Sequence, residues 1–280
     1  MLNCAPLEDE LGDVLEKAMR RAGLSEEALG DRAGVPTGSI IDAINYRSEL
    51  SGGELCRLAS ALGLNEIGLC ALGCGCYPLP ALAALPFAVH PLRMNHGIGV
   101  VNAYLVGDIG ASRGVLFDTG PDFDALSAVW PSSIQHIDAV FLTHQEQEHA
   151  GGLGQVIERF GPATAYCPAE SPRQGTSPLT EGEFRRYASF RVTAFSTPGH
   201  TSAHNCYLVE SSNAQGGTSL LISGDLFFAG SIGSAHFCQR QLSTHLKRML
   251  ATVPACTVIA PGHGPMTSAE NELRYNPFVA

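Results

Sequence analysis

The sequence predicts an α+β protein in which a small all-helical segment precedes a larger region of alternating strands and helices. Three observations lead there. Residues 11–73 place apolar side chains at helical spacing between glycine stops. From Phe87 onward, short apolar runs that read as buried strands alternate with amphipathic stretches. Several of those runs end on a His or Asp beside a Gly turn, where the backbone bends tightly and presents a polar side chain. At 280 residues the chain exceeds the usual size of one domain. The expected division is a helical domain over 1–76, a connector over 77–86 and a larger domain over 87–280.

Composition narrows the function classes. Hydrophobic residues at 45% and charged residues at 16% suit a well-buried globular enzyme. A net charge of −10 disfavours a nucleic-acid or anionic-membrane surface. The start, Met1 to Glu10, is acidic and lacks the basic and apolar parts of a signal peptide. No run approaches the ~20 apolar residues of a membrane span, so no membrane partner is expected and the expected location is cytoplasmic. Nine scattered cysteines, an odd number, fit a reducing compartment better than a secreted disulfide framework. Cys70, Cys74 and Cys76 form a CxxxCxC cluster with no fourth ligand nearby, and read as ordinary thiols.

The helices come first. Leu11, Val14, Leu15, Met19 and Ala22 mark one helix, which Gly23 stops. Ser25 is a candidate N-cap for a second, running to about Ala33. Thr37–Asn45, Gly52–Leu62 and Glu66–Leu72 complete the set. This order, with LSEEALGDRAGVPTGSIIDAINYRS and LCRLASALGL, resembles the Cro/C1-type helix-turn-helix fold over about residues 10–73. The resemblance would make Thr37–Asn45 a DNA-reading helix, but its chemistry argues otherwise. Residues 1–76 hold six Lys and Arg against twelve Asp and Glu, and the reading helix carries Asp42 with no Lys or Arg. Phosphate contacts dominate DNA affinity, so the electrostatic term starts unfavourable. DNA binding is therefore not expected. Dimerisation (a homodimer), shielding of a substrate pocket and partner binding stay open as roles for the scaffold.

The larger region follows a Cys-, Pro- and Ala-rich connector, Gly73–Pro91, in which Pro78, Pro80, Pro86 and Pro91 prevent a long helix. Val100–Val106 and Gly114–Phe117 read as adjacent strands turned at Gly107–Gly110. Asp122–Val129 and Gly154–Phe160 read as outer helices, and Ser171–Thr180 as a mobile loop at a substrate mouth. After the strand-like run Ile137–Leu142 comes Thr143-His144-Gln145-Glu146-Gln147-Glu148-His149. Two imidazoles and two carboxylates within six residues are more than a solvated turn needs. Neutral His nitrogens and carboxylate oxygens are ligands for iron, zinc and manganese. His200 follows Thr197-Pro198-Gly199, Asp225 ends Leu220–Gly224, and His263 follows Pro261-Gly262.

With Asp118-Thr119-Gly120, these five ordered motifs resemble the metallo-β-lactamase superfamily across roughly residues 87–270. That family has a buried DTG, an HxHxDH loop, and then His, Asp and His from separate loops. The resemblance implies an αββα sandwich, two sheets face to face with helices outside, and a dinuclear metal site. It assigns His144, Glu146 and His200 to one ion and Glu148, His149 and His263 to the other. Asp225 would bridge both, and Asp118 would brace a ligand from behind.

Two departures carry chemical weight. Glu146 stands where the family has its second His, and Glu148 where it has Asp. A carboxylate in place of an imidazole adds negative charge and weakens the acidity of a bound zinc. It favours iron or manganese, with zinc as the alternative. An HxExDH loop is similar to that of flavodiiron-type proteins, and here the loop reads HxExEH. By contrast, TPGHTSAHNCYLV, SGDLFFAGSIG and PGHGP are similar to glyoxalase II-like thioester hydrolases. The expected function is dinuclear metal-dependent hydrolysis of a small-molecule ester, thioester or lactone, with metal-bound hydroxide attacking the carbonyl. The alternatives are a non-haem diiron oxidoreductase acting with O2 or NO, and a metal-site sensor acting through the helices. His204 is a candidate proton shuttle pointing into the pocket, or else a cap for the next strand. His96 is expected on a surface loop at the pocket rim, His236 and His245 in solvent, and Cys206 and Tyr207 in a strand.

Overall fold

The computed structural model describes residues 6–161, 164–212 and 217–280. Cys4 and its neighbours at the start of the expected helical domain lie outside the described residues. Five helices open the chain: α1 (Leu11–Ala22), α2 (Glu26–Ala33), α3 (Thr37–Ile44), α4 (Gly52–Leu62) and α5 (Glu66–Gly73). Their ends follow from local chemistry. The Ser25 hydroxyl accepts the Ala28 amide at the start of α2, and Ser51 with Glu54 forms a capping box on α4. Gly23, Gly34 and Gly63 close α1, α2 and α4 in the left-handed conformation. None of the described helices is long and apolar enough to cross a membrane.

Two six-stranded sheets follow. The first holds β1 (Ala88–His96), β2 (Gly99–Gly107), β3 (Arg113–Phe117), β4 (His136–Phe141), β5 (Thr164–Pro168) and β6 (Thr176–Leu179), side by side in that order. The second is built from β7 (Phe184–Arg186), β8 (Phe190–Ser196), β9 (Asn205–Ser211), β10 (Leu220–Gly224), β13 (Val258–Pro261) and β14 (Thr267–Ser268), in the order β14-β13-β10-β9-β8-β7. A short ribbon, β11 (Phe227–Phe228) with β12 (Ser231–Ile232), follows β10. The remaining helices are α6 (Phe123–Ala128), α7 (Gln147–Ala150), α8 (Leu153–Phe160), α9 (Gln239–Thr252) and α10 (Ala269–Tyr275).

Strand alternation sorts the side chains into three cores. Between the sheets lie Phe117, Phe141, Tyr207, Val209, Ile222 and Ala260. Phe141 anchors this layer, with Tyr166 at 4.9 Å, Tyr207 at 5.2 Å and Phe117 at 5.3 Å between ring centroids. Leu116, Val140 and Ala165 face the opposite way, under Leu126 of α6 and Leu153 and Val156 of α8. On the outer face of the second sheet, Cys206, Leu208, Leu221 and Ile259 meet Leu242, Leu246 and Met249 of α9. That third core runs on without a break into Val14, Leu15, Leu55, Leu58 and Leu69 of the opening helices. The C-terminus seals the seam: the Asn65 amide donates to the Pro277 carbonyl at 2.7 Å.

Two elements differ from expectation. β1 includes Pro91, which was counted with the connector, and β6 occupies half of the expected mobile loop. Both are edge strands of the first sheet, and each contains a proline, Pro91 and Pro178. Proline lacks the amide proton a central strand needs, and is tolerated at an edge.

Candidate metal centre

The candidate ligands stand where strands end. His144 follows β4, His200 follows β8, Asp225 follows β10 and His263 follows β13, while Glu146 caps α7 and Glu148 and His149 lie in it. β10 is parallel to β13, and β8 is antiparallel to β9, which is antiparallel to β10. The last three strands that deliver ligands therefore share one direction and one exit edge. Backbone fit at that edge is tight. A Cβ on Gly262 would lie 2.1 Å from Asp225 Oδ1 and 2.9 Å from His149 Cε1. Gly224, immediately before Asp225, has φ +49°, a conformation that favours glycine.

The side chains converge on Asp225. Its Oδ1 lies 3.5 Å from His149 Nε2, and its Oδ2 lies 3.4 Å from His263 Nε2 and 3.6 Å from His200 Nε2. Glu146 Oε2 lies 3.5 Å from His200 Nε2 and 3.8 Å from His144 Nε2, and Glu148 Oε1 lies 3.9 Å from His263 Nε2. The donors form two clusters that share Asp225: Glu148, His149, Asp225 and His263, and His144, His200 and Asp225, each with its atoms within 4.8 Å of one another.

The outward ring nitrogens decide what the inward ones do. His200 Nδ1 donates to the Ser234 carbonyl at 2.7 Å, and His263 Nδ1 to the Val100 carbonyl at 3.0 Å. His149 Nδ1 donates to Asp118 Oδ2 at 3.1 Å. The Thr143 hydroxyl donates to Asp118 at 2.8 Å, so it accepts from His144 Nδ1 at 2.9 Å. All four neutral imidazoles are thereby fixed as the tautomer whose Nε2 carries a lone pair. For His149 directly, and for His144 through Thr143, Asp118 does this from behind the cluster; its carboxylate also accepts the Thr143 amide at 2.7 Å, and its backbone lies in the left-handed region (φ 58).

The inward atoms have nothing to bond. His144 Nε2, His149 Nε2, His200 Nε2 and Asp225 Oδ1 are buried without a hydrogen-bond partner. Leaving one such group unsatisfied costs about 1–3 kcal/mol, and here they converge on one another. Lone pairs and carboxylates aimed at common points are what a divalent cation requires, so the residues fit a dinuclear metal centre.

The electrostatics agree. Burial, with His149 close by, pushes the pKa of His144 below its ordinary value. Burial also acts downward on His149 and His200, but Asp225 with Asp118 for the first, and Glu146 with Asp225 for the second, outweigh it and raise both. His263 is carried up to about 10, its burial overcome by Asp225. Although burial acts upward on Asp225, His263 and His149 hold it well below the usual carboxylate range. Contacts with His144 and His200 likewise lower Glu146.

His204 departs from the expected shuttle role. It is fully buried, with Nδ1 against Thr197 Oγ1 at 2.8 Å and Nε2 accepting the Asp225 amide at 3.1 Å. Burial and the neighbouring His144 push its pKa well below the histidine range, and both ring nitrogens are engaged within the fold. It holds the backbone of Asp225 instead. His236 is exposed as expected, but it precedes α9 rather than lying on it, and its ring centroid stands 5.2 Å from that of His200 at the wall of the cavity. His96, at the end of β1, lies 3.6 Å from Glu148. The cavity above the cluster measures about 350 Å³, and Glu8, Asp9, Asp13, Lys17 and Arg20 line it from the helical side. No motif marked those five residues. Their sequence signal is only that of a charged first helix behind an acidic start.

The model of the metallo-β-lactamase superfamily matches residues 96–263. Among solved structures, the chain is similar to the BLEG-1 B3 metallo-β-lactamase, with 24% identity over 69% of this chain and 100% of that one and a TM-score of 0.56. It is similar to ETHE1 from Myxococcus xanthus, with 23% identity over 67% of this chain and 83% of that one and a TM-score of 0.53. It also resembles TTHA1623 in a di-iron-bound form, with 28% identity over 68% of this chain and 99% of that one and a TM-score of 0.53.

Proposed function

The chain belongs to the metallo-β-lactamase superfamily, and from that premise we propose that it is a dinuclear metal-dependent hydrolase of a small ester, thioester or lactone. The observation that carries the reading is the convergence of unsatisfied imidazole lone pairs on Asp225 beneath an open cavity. His144, Glu146 and His200 would hold one ion, Glu148, His149 and His263 the other, and Asp225 both. Ions held there would supply an activated water and a Lewis acid for the carbonyl oxygen. Overall, one water is consumed, the acyl C–O or C–S bond breaks, and a carboxylic acid and an alcohol or thiol leave. No external electron donor is needed. Asp118 orients His149 directly and His144 through Thr143, and His204 keeps Asp225 in place.

Glu146 is the group that tunes the metal. Its carboxylate supports iron or manganese over zinc at the first position. The same residue favours a second reading, a diiron oxidoreductase, and the similarity to a protein with a di-iron-bound form supports it. Metal content by mass spectrometry after anaerobic purification, with assays of ester, thioester and lactone hydrolysis and of oxygen consumption, separates the two. Two ions per chain with turnover of one carbonyl class is the expected result. Oxygen uptake with no hydrolysis would favour the second reading. Glu146→His should shift the metal preference toward zinc in an equal-metal competition. An unchanged preference would remove Glu146 from metal selection.

A further inference from the structure

The cavity over the ligand cluster is not walled by the sandwich alone. On one side stands α1, with Asp13, Lys17 and Arg20, preceded by Glu8 and Asp9. The cavity continues into a recess of about 140 Å³ between α1 and residues 232–239, and Lys17, Arg20, Ser234 and His236 line both spaces. The result is a groove with two chemically different ends. One end is the cluster around Asp225. The other is bordered by Arg20, His236 and Gln239.

Among the described residues, the charged groups along this groove are matched, with one exception. Lys17 Nζ is bonded to Asp9 and donates to the Ile232 carbonyl at 2.7 Å. Asp13 accepts the Tyr46 hydroxyl at 2.6 Å and the Glu10 amide at 3.0 Å. Glu8 lies 3.8 Å from His263, and Glu146 and Glu148 face the imidazoles. Arg20 has only Glu16, one turn earlier on α1 and 3.8 Å away, with the side chains 67% and 53% exposed. An exposed contact of that length holds a guanidinium weakly. Its planar fork of five N–H donors is left available at the far end of the groove.

We propose that Arg20 is a specificity-determining residue that binds a carboxylate on the end of the substrate remote from the scissile carbonyl. The groove then selects short acids that carry their ester, thioester or lactone at a set distance from one negative charge. This rests on the hydrolase reading above. A single charge is the better fit, because one cation already weakly paired with Glu16 does not balance a phosphate dianion. The helical segment thereby supplies half of the substrate site, and the reach from α1 to Asp225 sets the length of molecule accepted.

Calorimetry on the metal-loaded full-length protein tests this with two probe series of equal chain lengths: the monocarboxylates butyrate to octanoate, and the dicarboxylates succinate to suberate. One carboxylate reads the ligand cluster and the second reads Arg20. At one length the dicarboxylate should bind about tenfold more tightly than its monocarboxylate, the size of one charge-assisted contact. Arg20→Gln should bring that ratio to about one, Arg20→Glu below one, and Arg20→Lys should keep part of it. A wild-type ratio of one at every length, or a ratio unchanged in Arg20→Gln, would overturn the assignment while leaving the metal site intact. Absence of binding in both series, with no metal retained by mass spectrometry, would instead overturn the hydrolase reading and this assignment with it.

Discussion

At the scale of single residues, the carboxylates that would help hold a metal also strengthen the hold of protons on the rings beside them. His149, His200 and His263 all have pKa values raised by the carboxylates around them, His263 to about 10. Without metal at pH 7 the His263 ring carries a proton that an ion must displace. The sign follows directly. A raised value means that protons compete more strongly as the pH falls, so metal affinity should climb from about pH 6.5, the ordinary histidine value, and level off only near pH 10. Calorimetric titration of the metal-free protein at pH 7, in two buffers of different ionisation enthalpy, should show at least one proton released per chain. A count of zero would mean that the rings are already neutral. The candidate ligand types were legible in the sequence because His200, Asp225 and His263 each sit beside a strand end and a glycine, while His144, Glu146, Glu148 and His149 crowd one stretch after β4. Their tautomers were not, since the carbonyls of Ser234 and Val100 that set them come from segments without a motif. The same blindness affected His204, whose spacing from His200 suggests the cavity while its bonds tie it to Thr197 and Asp225.

At the scale of elements, a buried clasp joins α1 to β12, in the ribbon that follows Asp225. The Lys17 and Asp9 side chains, 12% and 10% exposed, pair with each other while Lys17 also holds the Ile232 carbonyl and the Ser231 hydroxyl donates to Asp9. Removing one partner leaves the other charge buried, at a cost of about 3–5 kcal/mol. Lys17→Met should therefore lower the urea midpoint clearly, and Lys17→Met with Asp9→Asn should recover most of the loss. If the single variant unfolds at the wild-type midpoint, the clasp contributes little. The five opening helices were legible to within a residue or two, because caps and glycine stops are local signals. The partners of the clasp, more than two hundred residues apart, leave no local trace. Edge strands β1 and β6 were missed for a different reason: Pro91 and Pro178 mimic loop chemistry, and only the neighbouring strand shows that each lies at a sheet edge, where proline is tolerated.

At the scale of the molecule, the opening helices and the outer face of the second sheet share one core. A fragment over 87–280 would expose Leu208, Leu221 and Ile259 along with one side of α9. It should aggregate or bind a hydrophobic dye, whereas the full chain should unfold in one cooperative transition. A fragment that stays monomeric, with the full chain's metal content and a sharp melt, would show that the helices are dispensable to the fold. The composition shift after Gly73 suggested a boundary between domains, because a connector rich in proline reads the same whether it joins separate bodies or crosses a common one. The seam at Asn65 and Pro277 adds the chain's last residues to the same assembly. Inheritance is constrained accordingly. A recombination event that exchanged the helices of two related chains at the connector would bring in a surface shaped for another α9 and another tail. Such hybrids should survive only when all three stretches travel together.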